Sequence, residues 1–318
     1  MIQWRPLKPD DGPDLEVLFG LWESHHELPF HTDLEEIEHD LSNPDGDIAN
    51  RTQVAIGEHG RFLAIAWVSA DKASVEVAKH RAMLEVIAHP DHAQLEAEAL
   101  EWAEAKGREI LEEHQDGKPR VLRAWSPAKL TDRIERFTAA GYPPARYFAE
   151  MLCGLEDSLP DAAPPEDVTL IDWDDSLMEE VWRVSNTAFA DHWGTVRRDY
   201  ESWRRIMVDE PHHRPDLGII ALADGDVVGY CSNRVYEGDF ELRKMKEGYI
   251  ASLGVLPEWR KRGIASALIA DSLRRFAAVG YDHASLHVDA DSPTGAFGLY
   301  ERLGFKQSDL TVALVKEL

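Results

Sequence analysis

Cysteine is scarce in this sequence, and long apolar runs are missing. Cys153 and Cys231 are the only cysteines in 318 residues. One falls in each half, so they provide neither a disulfide framework nor the paired spacing of a zinc or redox site, and no metal is expected. No stretch approaches the roughly 20 apolar residues that a membrane-spanning helix requires, so no membrane association is expected. The opening run Met1-Ile2-Gln3-Trp4-Arg5-Pro6 has no apolar signal core and soon reaches Asp10-Asp11, which points to a cytoplasmic location. Basic residues are also few. Against 59 Asp and Glu stand 34 Lys and Arg, a net charge of −25. Nucleic-acid binders ordinarily carry a basic stripe, so a nucleic-acid partner is not expected. Cations gather only at Arg260-Lys261-Arg262, with smaller groups near Arg197-Arg198 and Arg243-Lys244. Such acidity mainly confers solubility, and it also suits a cationic amine ligand.

What is present is enough apolar material, 44%, for two ordinary cores of about 150 residues each. The Pro- and acid-rich stretch 156–166 reads as a linker. It separates a first domain, 1–155, from a second, 167–318. The two halves repeat an order of features: a short strand, an amphipathic helix, a hairpin, a strand ending in Pro, an Ala/Leu-rich helix, and a closing helix, Gly-aromatic pair and strand. Gly60/Gly225, Pro90/Pro257 and Gly141/Gly304 mark corresponding places. Steady offsets of this kind indicate a duplicated α+β domain.

Two motifs in the second half carry chemistry. In the first, an apolar strand, Tyr249 to Leu256, stops at Pro257. The basic turn Arg260-Lys261-Arg262-Gly263 then leads into a helix from Ile264 to Ala278, with Ala265 and Ser266 in its first turn. A helix start exposes unpaired N–H groups and partial positive charge, and small residues let an anion approach them. In the second, the strand Leu286-His287-Val288-Asp289 leads to a Ser292-Pro293 turn. A helix follows, carrying Leu299-Tyr300-Glu301 and ending at Gly304-Phe305. The Arg-x-x-Gly-x-Ala run after Val-x-Pro, with the second motif behind it, resembles the acetyl-CoA signature of the GNAT superfamily of N-acetyltransferases.

The resemblance implies two tandem GNAT-like domains, each a mixed, mostly antiparallel sheet flanked by helices. It implies that acetyl-CoA is the co-substrate, with its pyrophosphate on the amides of Arg260 to Ser266. Ser292 stands where the family commonly has Asn beside the pantetheine arm. Tyr300 matches the family's proton donor to the leaving thiolate. A backbone amide in Leu253-Gly254-Val255 would polarise the acyl carbonyl, with Gly254 easing a bulge there. The family's usual Glu position holds Tyr249. Glu247, two residues earlier on the same strand face, and His287 are the candidate bases, and a reaction without a protein base stays open. The segment Asp191-His192-Trp193-Gly194 resembles one in mycothiol-synthase-like acetyltransferases, which makes Asp191, His192, Trp193 and Tyr249 candidate acceptor contacts. With Pro90 aligned on Pro257, Glu96 and Glu98 replace Gly263 and Ala265, so the first half reads as a degenerate GNAT-like domain without a phosphate cradle. The expected activity is acetyl transfer to a primary amine of a small molecule or peptide, by a monomer or homodimer. The rival is a non-catalytic acyl-CoA-binding sensor.

Overall fold

The computed structural model describes residues 2–70, 79–156, 159–194, 196–291 and 295–318. The first half of the chain forms β1 (Gln3–Arg5), α1 (Gly12–His25), α2 (Leu34–Leu41), α3 (Ile48–Arg51), β2 (Thr52–Ile56), β3 (Phe62–Ala70), β4 (His80–Ala88), α4 (Leu95–Glu112), β5 (Arg120–Pro127), α5 (Thr131–Ala139) and β6 (Pro144–Gly154). The second half forms β7 (Thr169–Asp172), α6 (Met178–Ala188), α7 (Tyr200–Met207), β8 (Ile219–Ala223), β9 (Asp226–Arg234), α8 (Phe240–Arg243), β10 (Glu247–Val255), α9 (Ile264–Ala278), β11 (His283–Asp289), α10 (Ala296–Arg302) and β12 (Lys306–Glu317). Among the described residues no helix is long and apolar enough to cross a membrane.

Two compact units result, but their boundaries differ from those of the sequence halves. One unit runs to Arg146 and takes in Thr311–Leu318, while the other is Tyr147–Leu310. In the first unit β1 to β5 pair in sequence order, and β5 then pairs with residues 311–317 of β12. In the second, β7 to β11 pair in sequence order, and β11 then pairs with residues 148–154 of β6. All neighbours are antiparallel except β4/β5 and β10/β11, each a parallel pair joined through a helix. Each half therefore supplies the closing strand of the other half's unit, a correction to the simple division at 156–166.

In the second unit, helix α9 packs on one sheet face. Its Leu268, Leu273 and Phe276 are fully buried with Ile250, Leu286, Met151 and Val288. Burying each such large side chain contributes roughly 1.5–3 kcal/mol, which anchors α9 and the turn before it. By the period-two alternation of strands, Glu247, Tyr249, Ser285, His287 and Glu150 look out of the opposite face. The register of β10 on β9 shifts between Ile250 and Ser252, so the bulge lies there and not at Leu253–Val255. One extra residue reverses the alternation, and Leu253 and Val255 join the α9 side. Gly254 serves a different purpose from easing a bulge: a Cβ there would lie 2.5 Å from Tyr230 Cε1. The hydroxyl of Tyr230 donates to Ser185 Oγ at 3.0 Å and lies 2.8 Å from Ser252 Oγ, tying α6 to β10.

Candidate active site

The turn before α9 is built around two left-handed residues, Lys261 (φ 62°) and Gly263 (φ 92°). Among the described residues, no backbone N–H from Lys261 to Ser266 donates to a protein acceptor, and the first helical bond of this end is Ala267 N–H to Gly263 O. Above Gly263 there is open space, since a Cβ would meet nothing within 4 Å. Consecutive free amides at a helix start form an anion cradle. Of the three cations expected to face that anion, two are committed elsewhere. Arg260 donates to Asp191 Oδ2 at 2.9 Å and to Ala188 O at 2.7 Å. Arg262 reaches Asp167 at 2.6 Å and covers the Trp259 ring at 4.4 Å. Lys261 makes no ion pair among the described residues.

The equivalent turn in the first unit is two residues shorter. Helix α4 begins five residues after Pro90, whereas α9 begins seven after Pro257. Counted from the first helical residue, Gln94 stands in the place of Gly263 and Glu96 in that of Ala265, which corrects the alignment by a slip of two. No residue from His89 to Glu98 has a positive φ. Three of its donors are satisfied within the turn: Asp91 N–H binds His89 Nδ1, His92 N–H binds His89 O, and Glu96 N–H binds Ala93 O. The buried carboxylate of Glu96 is held by Arg133 and Arg136, the latter at 2.8 Å. A cavity of about 530 Å³ remains along α4, lined in part by Ala97, Leu100, Glu101 and Phe137, but this helix start has no left-handed residue and sets the Glu96 carboxylate where Ala265 stands in the second unit.

Beyond the cradle, β10 and β11 part. Their parallel ladder ends at Ile250/Leu286. Leu256 N–H bonds back to Val228 O on β9, so by alternation Leu253 and Val255 direct their N–H groups to the open edge. Tyr300, on α10, is half-buried, with its ring against Phe305 at 5.9 Å. Burial, with Cys231 and Tyr249 nearby, raises the pKa of its phenol. On the polar face of the sheet, burial pushes Glu247 up to about 6, against the pull of Arg243. Glu247 Oε1 accepts from Ser285 Oγ at 3.1 Å and pairs with Arg243 at 3.0 Å, while its buried Oε2 has no hydrogen-bond partner among the described residues. The Tyr249 hydroxyl, pushed up to about 12 by burial, lies 3.2 Å from His287 Nδ1. His287 is open to solvent yet crowded by protein, which lowers its pKa.

The sequence model of the acetyltransferase (GNAT) family matches residues 176–305. A mycothiol acetyltransferase of Thermobispora bispora is 30% identical over 200 residues, covering 63% of this chain and 67% of that protein. The chain belongs to the GNAT acetyltransferase family. A mycothiol acetyltransferase of Pseudarthrobacter chlorophenolicus is 31% identical over 196 residues, and the match spans 60% of this chain and 59%, about three fifths, of that relative's length. Among solved structures, a tandem GNAT protein from the clavulanic acid biosynthesis pathway shares the fold over 100% of this chain and 98% of that one, with a TM-score of 0.71 at 17% identity.

Within this GNAT unit the expected acceptor residues separate. Asp191 is the counter-ion of Arg260, which holds its carboxyl below the usual range. It therefore brings no unbalanced charge to an amine, contrary to expectation. His192 packs on Phe189 at 5.0 Å, and Trp193 lies 6.0 Å from Phe148. Phe148 is the register partner of Asp289, so this loop borders the carboxyl end of β11. Ser292 lies outside the described residues. Two further residues join the polar face. Arg243 donates to Glu150 Oε1 at 2.8 Å as well as pairing with Glu247, and Ser308 Oγ donates to Glu150 Oε2 at 2.8 Å. Alternation places Glu150 on the opposite face of β6 from Met151, but no sequence signal says that β6 lies beside His287.

Proposed function

We propose that the second unit catalyses acetyl transfer from acetyl-CoA to a primary amine of a small molecule or peptide by direct attack. The observation that carries this reading is the run of free amides from Lys261 to Ser266 beside the parted strands. Acetyl-CoA supplies an activated acetyl thioester. The amides of this turn, with Lys261, hold its pyrophosphate, and the open-edge N–H groups of Leu253 and Val255 stabilise charge on the acyl oxygen. Glu247, with a free Oε2, takes the proton that the attacking nitrogen sheds. As the C–N bond forms and the C–S bond breaks, Tyr300 gives its proton to the thiolate. No residue need bond covalently to the acetyl group, so a nucleophile motif is not required.

The similarity to mycothiol acetyltransferases makes their acceptor one arm of the test, and Tyr249 and His287 at the polar face make other amines equal candidates. The experiment is release of free thiol from acetyl-CoA across a panel of primary amines and peptide N-termini. Amine-dependent release with an acetylated product supports the reading. Tight acetyl-CoA binding with no amine accelerating release would leave the acyl-CoA-binding sensor instead.

A further inference from the structure

Glu150 belongs by sequence to the degenerate half, yet it lies on the acceptor face of the other unit. It is 6% exposed and opposite His287 in the β6/β11 register. Arg243 Nη1 lies 2.8 Å from Glu150 Oε1 and 3.0 Å from Glu247 Oε1. Two carboxylates so close to one nitrogen are no more than about 6 Å apart, near enough for each to alter the other's proton affinity. Both carboxylates are buried and the Arg243 side chain is 9% exposed, and the surroundings have no second cation among the named neighbours. Glu247 faces Arg243 from α8, Asp239 from the turn before it, Ser285 from β11 and Glu150 from β6. Beyond them stand His287, which faces Glu150, Arg243 and Asp309, and Tyr249 on the same strand.

We propose that Glu150 is a positioning residue for acyl transfer: it shares Arg243 with Glu247, so that Glu247 keeps a carboxylate basic enough to accept the amine proton. Glu150 thereby gives the first half of the chain a part in the chemistry that its lost cradle does not. The inference rests on the proposed transfer and on Glu247 as its base. If Glu150 lost its charge, Arg243 would belong to Glu247 alone. A carboxylate alone with a buried guanidinium is a weaker base, and the like charge that raises Glu247 would be gone.

The test uses the full chain with Glu150→Gln. Two quantities are read: the acid limb of kcat/KM for the amine, and the titration of Glu247 by carboxyl-carbon NMR, assigned from the signal missing in Glu247→Gln. Both midpoints should fall by about one pH unit, kcat at neutral pH should drop, and KM for acetyl-CoA should stay within about twofold. Glu150→Asp keeps the charge but draws it back, so it should fall between the parent and the Gln variant, and it serves if the Gln variant does not fold. An unmoved or raised Glu247 midpoint in a folded variant overturns the inference even if the parent is an active acetyltransferase. A parent with no amine-dependent turnover overturns the proposed function and this role with it, and the NMR titration then shows separately whether the two carboxylates are coupled.

Discussion

In the proposed transfer Tyr300 and Glu247 divide the proton work, and their surroundings make each role testable. The raised pKa of Tyr300 keeps the phenol protonated at neutral pH, ready for a thiolate that is a far stronger base than water. Tyr300→Phe keeps the ring against Phe305 and removes only the proton. Turnover should fall by about 10²- to 10⁴-fold while acetyl-CoA affinity, measured by calorimetry, changes little. A Phe variant with nearly parental turnover, chemistry being rate-limiting, would leave water as the proton source. Glu247 predicts a pH profile. A base must be ionised, and burial raises this one to about 6, so kcat/KM should climb as pH rises through about 6 and level off above it. A limb near the ordinary Glu value would point to another base. Tyr300 was legible as a candidate through the family resemblance, because its motif is local, with helix, Gly304 and aromatic in one run. Glu247 was legible as a candidate from alternation along β10. Arg243 and Glu150 were not, because their meaning depends on which strands lie side by side, and short-range pattern does not carry that.

The two turns, before α9 and before α4, differ by two residues of backbone, and that difference separates the proposed cradle from its counterpart. Both follow a strand ending in Pro, and both open an apolar-faced helix. The shorter turn lacks the left-handed pair, spends the Glu96 amide on Ala93 O and buries the Glu96 carboxylate between two arginines. Sequence alignment on the prolines read the first half as lacking a cradle but set its carboxylates two residues off, because a shorter turn leaves no periodic trace. One acetyl-CoA per chain is therefore expected, and calorimetric titration showing two sites of similar affinity would contradict the assignment of the cradle. Gly263→Glu should abolish that single binding event. The substitution forces a side chain into a φ of 92°, at roughly 1–2 kcal/mol, and sets a carboxylate at the anion site. Circular dichroism should still report a folded chain, since the buried stripe of α9 is untouched. Parental affinity in that variant would place the phosphates elsewhere.

At the scale of the whole molecule, the exchange of closing strands decides which piece of the chain is a working unit. The sequence reads 156–166 as a linker, and a cut there yields 156–318. That piece lacks β6, so the seven residues of β11 from His283 to Asp289 lose their register partners, and Met151 and Cys153 vanish from the core beneath α9. It also carries residues 311–317 without β5, their partner strand. An unpaired strand edge flanked by exposed apolar surface invites aggregation. The piece 144–310 cuts across both sequence halves, yet it contains every strand of the second unit, the turn before α9, Tyr300 and the Glu150–Arg243–Glu247 group. Expressed alone, 144–310 should be soluble and bind one acetyl-CoA, whereas 156–318 should aggregate or bind none until residues 1–155 are supplied in trans. Size-exclusion chromatography and calorimetry on the two pieces distinguish the outcomes. If 156–318 proved monodisperse and bound acetyl-CoA as tightly as the full chain, β6 would be dispensable to the second unit, and the first half would have no structural claim on the site.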